Sequence, residues 1–75
     1  MPAAEPPDPA LAATIRRLRE ERELNQEDVA FEAALTVGSY ARIERGEANP
    51  AWTTVLRIAN SLGVTVADLA AEAGR

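Results

Sequence analysis

The chain has 75 residues, a length that suits one small domain with a modest hydrophobic core. It contains no cysteine and no histidine, which excludes disulfides, thiolate or histidine metal sites, and catalysis by a nucleophile paired with an imidazole. No other constellation of acid, base and nucleophile is present, so we expect neither an enzyme nor a cofactor. The hydrophobic fraction of 47% is rich in alanine and aliphatic residues with 4% aromatics, which favours a compact all-α bundle.

The net charge of −4 is unusual for a protein that binds nucleic acid, since a basic surface is the common sign of that function. Net charge governs solubility and long-range steering, however, and a local patch can still be positive. All eight basic residues are arginines, and most fall into two groups. The groups are Arg16, Arg17, Arg19 and Arg22, followed by Arg42 and Arg45.

Membrane attachment is not expected from the sequence. No apolar run approaches the roughly 18 residues of a membrane span. The first residues carry prolines and acids rather than a basic, apolar signal. The default expectation is a soluble intracellular protein.

The chain opens with a segment that should not fold. Residues 1–9 hold four of the five prolines and show no periodicity, which predicts a disordered arm. The predicted domain runs over residues 10–71, and residues 72–75 form a short tail. Leu11, Ile15 and Leu18 recur at helical spacing and predict a first helix from Ala10 to about Glu23.

Two short helices follow. Asn25 is predicted to cap the second helix, with Asp28 at its third position to complete a capping box. Thr36 is predicted to cap the third helix, and Gly46 marks its end in a left-handed conformation.

The last two helices are also marked by caps and stops. Asn49-Pro50 predicts the start of the fourth helix, as a cap followed by a proline at the first helical position. Trp52 heads the apolar stripe of that helix and is predicted to lie in the core, and Gly63 should stop the helix. Thr65 and Asp68 begin a short fifth helix.

The spacing between the second and third helices is the feature that indicates function. Only Ala34-Leu35-Thr36 separates them, and so short a turn makes the pair cross steeply as a helix-turn-helix. The stretch LREERELNQEDVAFEAALTVGSYARIERGEANPAWTTVLRIANSLGVTVADL resembles the DNA-binding domain of the Cro and lambda-repressor superfamily, also called the Xre family. The resemblance rests on the Asn-Gln opening of the second helix, IERG, NP and RIANSLGV, all in order.

The resemblance implies a sequence-specific transcriptional regulator, encoded by a bacterium or phage and cytoplasmic. Its third helix would enter the major groove of a double-stranded DNA operator. The base-reading positions correspond to Val37, Gly38 and Arg42, of which Arg42 is the one strong reader. The residues implied to hold phosphates are Gln26, Asn25, Ser39 and Arg45.

The resemblance also implies two structural features. Arg19 and Glu44 correspond to a largely buried ion pair that joins the first helix to the third. Homodimerisation is expected near the C-terminus, where Leu62, Val64, Val66 and Leu69 supply apolar surface. The rival hypothesis for these four residues is that all of them belong to the core of one chain.

Several positions depart from the family pattern. Glu23 and Ala34 stand where similar proteins often have glycine, because both turns favour a left-handed backbone. Tyr40 fills a slot that is usually aliphatic, so its hydroxyl needs a partner. Glu47 replaces a basic residue that is often found beside a phosphate.

These departures keep a second function open. The acidic balance, Glu47 and the sparse face of the third helix favour a protein-interaction module that has lost DNA binding. An antitoxin, which binds both a toxin and its own operator, lies between the two hypotheses. Another protein therefore remains a possible partner beside DNA.

Overall fold

The computed structural model describes residues 7–74, and over that range the chain forms helices without strands. The predicted all-α fold is therefore confirmed. The five helices are α1 (Pro9–Glu21), α2 (Gln26–Glu32), α3 (Val37–Glu44), α4 (Trp52–Ser61) and α5 (Val66–Glu72).

Helix α1 begins inside the segment that was predicted to be a disordered arm. The Asp8 carboxylate accepts the backbone N–H groups of Ala10 and Leu11 at 3.0 and 3.2 Å. Pro9 occupies the first turn, where its missing N–H costs nothing. The arm prediction is thus wrong for Pro9, and its first six residues lie outside the described part of the chain.

Side-chain caps define three of the remaining helices as the sequence predicts. Asn25 with Asp28, and Thr65 with Asp68, form complete capping boxes at α2 and α5. Thr36 caps α3 by accepting the N–H of Ser39 at 3.1 Å.

The predicted start of the fourth helix is wrong. Helix α4 begins at Trp52, and its N-cap, Ala51, makes no side-chain capping bond. Asn49 and Pro50 therefore precede the helix instead of opening it. The hydrophobic stripe of α4 rather than its cap must supply most of its stability.

The turns between the helices require left-handed backbone, and two of them obtain it without glycine. Glu23 and Ala34 have φ angles of 56° and 57°, whereas Gly46 and Gly63 have 72° each. The sequence prediction for all four turns is confirmed. Glu23 and Ala34 carry the steric cost of a Cβ in this region, about 1 kcal/mol each.

The core is built from all five helices. Helix α1 packs on α3 and α5, α2 packs on α3 and α4, and α4 packs on α5. The largest fully buried side chains come from every helix: Ile15, Val29, Tyr40, Ile58, Leu62 and Leu69.

Trp52 is not part of this core. Its side chain is 63% exposed at the start of α4, so the prediction of a buried tryptophan is wrong. The buried part of the apolar stripe of α4 lies nearer the C-terminal end of the helix, at Ile58 and Ala59.

No single helix within residues 7–74 is long and apolar enough to cross a membrane. Helices α4 and α5 reach the length and apolar composition of a membrane span only when they are taken together, and the two helices are bent by 89° at the break between them.

We predict that Ala34→Gly stabilises the protein. Ala34 is exposed and has φ of 57°, so glycine removes the left-handed strain without removing a buried contact. Its free energy of unfolding should rise by about 0.5–1 kcal/mol in urea. Ala13→Gly, at an exposed site inside α1, should lower it by about 1 kcal/mol. Equal losses in both variants would show that Ala34 carries no strain.

Candidate nucleic-acid interface

The exposed face of α3 is the candidate interface. Five positions between the Thr36 cap and the Gly46 turn are exposed. Tyr40 and Ile43 on the opposite face are buried and hold the helix on the core. The exposed positions are Val37, Gly38, Ser39, Arg42 and Arg45.

Arg42 is the cation best placed to meet a ligand. It is exposed in the last turn of α3, and its side chain makes no hydrogen bond or ion pair within residues 7–74. Its guanidinium keeps five donors in a rigid fork, which suits bidentate contact with a guanine edge or a phosphate.

The start of α3 presents almost no side chain. Val37 offers only methyl groups, and a Cβ built on Gly38 would meet nothing within 4 Å. Gly38 also has no left-handed φ, so the fold itself does not require glycine there. What the glycine leaves open is backbone that another molecule can approach closely.

Arg45 and Glu47 form an ion pair at the end of α3. Arg45 donates its Nε and Nη2 to the two Glu47 carboxylate oxygens. The turn at Gly46 returns the chain so that the Glu47 N–H bonds the Arg42 carbonyl at 2.9 Å. The Arg45 hydrogen bond holds the pKa of Glu47 below its usual value, with a smaller contribution from the Arg42 charge. In the unbound protein the Arg45 guanidinium is therefore paired with the Glu47 carboxylate.

The candidate face is braced from behind by a buried ion pair. Arg19 of α1 donates Nε to Glu44 Oε2 at 2.6 Å and Nη2 to Oε1 at 3.0 Å. The Glu44 side chain is 2% exposed and that of Arg19 is 13% exposed. Arg19 also donates Nη1 to the Leu24 carbonyl at 2.9 Å, which ties the end of α1 to the same group. The structure thus contains the pair that the family resemblance implied.

The buried carboxylate of Glu44 stays charged because of its donors. Desolvation is the largest single influence and raises its pKa, but hydrogen bonds from Arg19 and Gln26, together with the nearby Tyr40 hydroxyl, outweigh it and lower the pKa. Burial raises the pKa of Tyr40 well above its usual range. The Tyr40 hydroxyl lies close enough to Glu44 to influence it, yet it makes no hydrogen bond of normal geometry.

Gln26 has a role that sequence reasoning missed. Its Nε2 donates to Glu44 Oε1 at 3.2 Å, so the side chain is engaged with the buried ion pair. No local signal predicts this contact, because the two residues are far apart in sequence and meet only through the α2–α3 crossing. Asn25 beside it is exposed, but its Oδ1 accepts the Asp28 N–H at 2.8 Å.

Ser39 is exposed at the first turn of α3. Its Oγ accepts the Thr36 hydroxyl at 2.9 Å, which leaves the serine hydroxyl free to donate. Of the residues implied to hold phosphates, the structure brings Ser39 and Arg45 onto the α3 face.

The arginines of α1 and of its C-cap, other than Arg19, are engaged within the chain. Arg16 and Arg17 pair with the glutamates one turn later, and Arg17 also reaches Glu72 of α5 at 2.5 Å. Arg22 donates to the Leu18 carbonyl at 3.1 Å. The positive charges of this group are thus largely balanced where they lie.

Two of the residues predicted at a dimer interface are not available for one. Leu62 and Leu69 are fully buried between helices of the same chain, so the expectation that they supply apolar surface is wrong. Val64 and Val66 are half-buried. The exposed apolar side chains of this end are instead Trp52 and Leu56, one turn apart on α4.

A family model described as a helix-turn-helix domain matches residues 10–72. The chain belongs to this family. The match covers α2 and α3 with the short turn between them, and the resemblance found in the sequence is confirmed.

Two curated relatives are similar over most of the chain. The HTH-type transcriptional regulator DdrOP3 of Deinococcus deserti is 39% identical over 59 residues, 79% of this chain and 46% of the relative. The cryptic phage CTXphi transcriptional repressor RstR of Vibrio cholerae is 38% identical over 61 residues, 81% of this chain and 55% of the relative. The chain therefore spans about half the length of these relatives.

Solved structures share the whole fold. The clp gene regulator ClgR from C. glutamicum superimposes with a TM-score of 0.84 at 25% identity. The match covers 89% of this chain and 87% of the ClgR chain. The restriction-modification controller protein C.AhdI from Aeromonas hydrophila has a TM-score of 0.78 at 28% identity, covering 81% and 92%.

We predict that the buried ion pair makes stability depend on pH. The pKa of Glu44 is lowered in the folded chain, so its contribution is present above the unfolded value near 4.5 and is lost as pH falls through the folded pKa. Glu44→Gln should unfold more easily at pH 7, by roughly 3 kcal/mol, because Arg19 then lacks its counter-charge. The difference between parent and variant should shrink below pH 4 in urea titrations. A constant difference from pH 7 to pH 3 would contradict a charged Glu44.

Proposed function

We propose that the protein is a sequence-specific DNA-binding transcriptional regulator that inserts α3 into the major groove. The observation that carries the proposal is the exposed α3 face with an unpaired Arg42, braced by the buried Arg19–Glu44 pair. The relatives named above are a transcriptional regulator and a phage repressor, and one structural neighbour is a controller protein. A repressor or an autoregulating controller is the form of regulation that they support.

Direct readout is assigned to the first and last turns of α3. Arg42 makes the bidentate contact with guanine O6 and N7. Val37 packs its methyl groups on a thymine methyl, and Gly38 lets the backbone approach the base edges. With so few readers, sequence-dependent DNA shape must contribute to specificity.

Phosphate contacts are proposed on either side of these base-reading positions of α3. Ser39 donates its hydroxyl, and Arg45 exchanges Glu47 for a phosphate when DNA arrives. Asn25 and Gln26 offer amide groups at the start of α2, with Gln26 also holding Glu44 in place. These contacts set the position of the protein on the duplex without reading its sequence.

The regulator is proposed to act as a homodimer in the cytoplasm of a bacterium. A two-fold pair of modules reads two half-sites about one DNA turn, ~34 Å, apart. Trp52 supplies exposed apolar surface on α4, and the half-buried Val66 lies near it in one apolar groove. We therefore centre the proposed interface on Trp52 and Val66 instead of on the buried Leu62 and Leu69.

The second candidate is an interaction module, or an antitoxin, with weak DNA binding. One observation favours it: the Arg45–Glu47 pair removes one of the two basic side chains on the candidate face. Enzyme function has no support in the relatives, which are named as regulators.

We predict that Arg42→Ala costs about 1–3 kcal/mol on the best operator and relaxes preference at one base pair per half-site. The operator is obtained first by selection from random duplexes at low salt. Affinities are then measured for single-base operator variants. A uniform loss over all variants would make Arg42 a phosphate contact instead of a reader, and failure to enrich any sequence would favour the interaction module.

The same titrations at several salt concentrations test the role of Arg45. Arg45→Ala should flatten the salt dependence by about one charge per subunit, since one phosphate contact is lost. Glu47→Gln should tighten binding to all sequences, because Arg45 no longer has to leave a carboxylate. Glu72→Gln is the matched control, as it removes a paired carboxylate on α5. Equal effects of the two glutamate variants would mean that only net charge matters.

We predict that Trp52→Ala weakens the dimer at least tenfold in sedimentation equilibrium, because a large apolar side chain is lost from its centre. The urea midpoint of the monomer should change little, since Trp52 is 63% exposed. Phe31→Ala, another exposed aromatic on α2, serves as the control and should leave dimerisation unchanged. A parent chain that stays monomeric up to about 100 μM would defeat the dimer proposal.

A further inference from the structure

Helix α2 carries the most exposed large hydrophobic side chain within residues 7–74. The Phe31 side chain is 86% exposed, well above Trp52 at 63% and Leu56 at 42%. A ring left in water forfeits the stabilisation that its burial would provide. Nothing in the packing of α2 needs a phenylalanine there, because Val29, Ala30 and Ala33 already fill its buried side.

Phe31 lines an open depression of about 800 Å³ between α2 and the start of α3. Leu35 and Val37 add partly exposed apolar surface to it. Glu27 and Glu32 line it with carboxylates, and neither makes a hydrogen bond or ion pair within residues 7–74. We call these five residues, Glu27, Phe31, Glu32, Leu35 and Val37, the Phe31 surface.

We propose that the Phe31 surface is a docking site for a partner protein segment that carries basic side chains around an apolar anchor. The apolar anchor covers Phe31 and Leu35, while lysine or arginine side chains reach Glu27 and Glu32. Aromatic side chains are enriched at protein interfaces, and complementary charges at the rim add specificity and speed association.

Charge selects this occupant over the two others that the chain could meet. DNA is disfavoured because two unpaired carboxylates would face its phosphates. A second copy is disfavoured at this surface because a two-fold contact of the surface with itself would bring Glu27 and Glu32 of both chains together. A basic protein segment is attracted by the same charges.

The site is separate from the face of Arg42, yet the two share Val37 at their border. A partner on the Phe31 surface would therefore lie beside DNA bound to α3. The proposal goes beyond DNA binding and does not depend on it, because peptide docking can be measured in the absence of operator DNA.

The experiment uses the full chain labelled with ¹⁵N and a synthetic amphipathic peptide with one leucine flanked by arginines. Two reference peptides replace the leucine with serine or the arginines with glutamates. Titration of the first peptide should shift backbone amides around Phe31 and Leu35, and both reference peptides should bind at least about tenfold more weakly.

Protein variants identify the surface. Phe31→Ala should weaken peptide binding by about tenfold or more, and unfolding is not a concern because the side chain is exposed. Glu27→Gln with Glu32→Gln should weaken it a few-fold and reduce its salt dependence. Leu56→Ala, an exposed apolar change on α4, is the control and should leave binding unchanged.

The proposal is overturned if the arginine peptide produces no localised shifts, or if Phe31→Ala and Leu56→Ala have equal effects. It is also overturned if the glutamate peptide binds as well as the arginine peptide. Two further outcomes assign another occupant: shifts of the same amides by duplex DNA, or self-association that disappears in Phe31→Ala.

Discussion

The buried ion pair between Arg19 and Glu44 is the constraint on which the candidate interface depends. It joins α1 to the last turn of α3, and Gln26 and the Leu24 carbonyl complete its hydrogen bonding. A charge buried without a counter-charge costs several kcal/mol, so the three segments must meet in one arrangement. The outer side of α3 inherits that rigidity. A helix of only two turns would not hold its shape alone, and the pair lets it present Arg42 in a fixed direction.

The carboxylates of this acidic chain neutralise several of its exposed arginines but leave Arg42 on α3 without an ion pair within residues 7–74. On α1 the exposed arginines pair with glutamates, and at the end of α3 Arg45 pairs with Glu47. Such exposed pairs add little stability, but they cancel charge locally. Arg42 keeps its charge for another molecule. A protein of net negative charge can thus present a positive group at one place and carboxylates, around Phe31, at another.

Much of the fold could be predicted because its signals are local. The capping boxes at Asn25 and Thr65 and the stop at Gly46 follow from contacts within a few residues, whereas the left-handed turns at Glu23 and Ala34 were implied by the family resemblance. The errors at Pro9 and Asn49 concern helix starts, where caps at neighbouring positions compete on small energy differences. Trp52 was misplaced for a different reason. Its hydrophobicity predicts burial, but the place where α4 meets the core depends on how all five helices pack.

The sequence by itself determined the helix-turn-helix and the outer face of α3, because helical period and short turns encode them, and its motifs carried the resemblance to the family. Only the tertiary structure decided which of those residues are free to act. It joined Gln26 to Glu44, buried Leu62 and Leu69 inside one chain, and left Phe31 in solvent. The physical reason is that hydrogen-bond partners and burial depend on contacts between distant segments, whereas caps, turns and periodicity depend on neighbours along the chain.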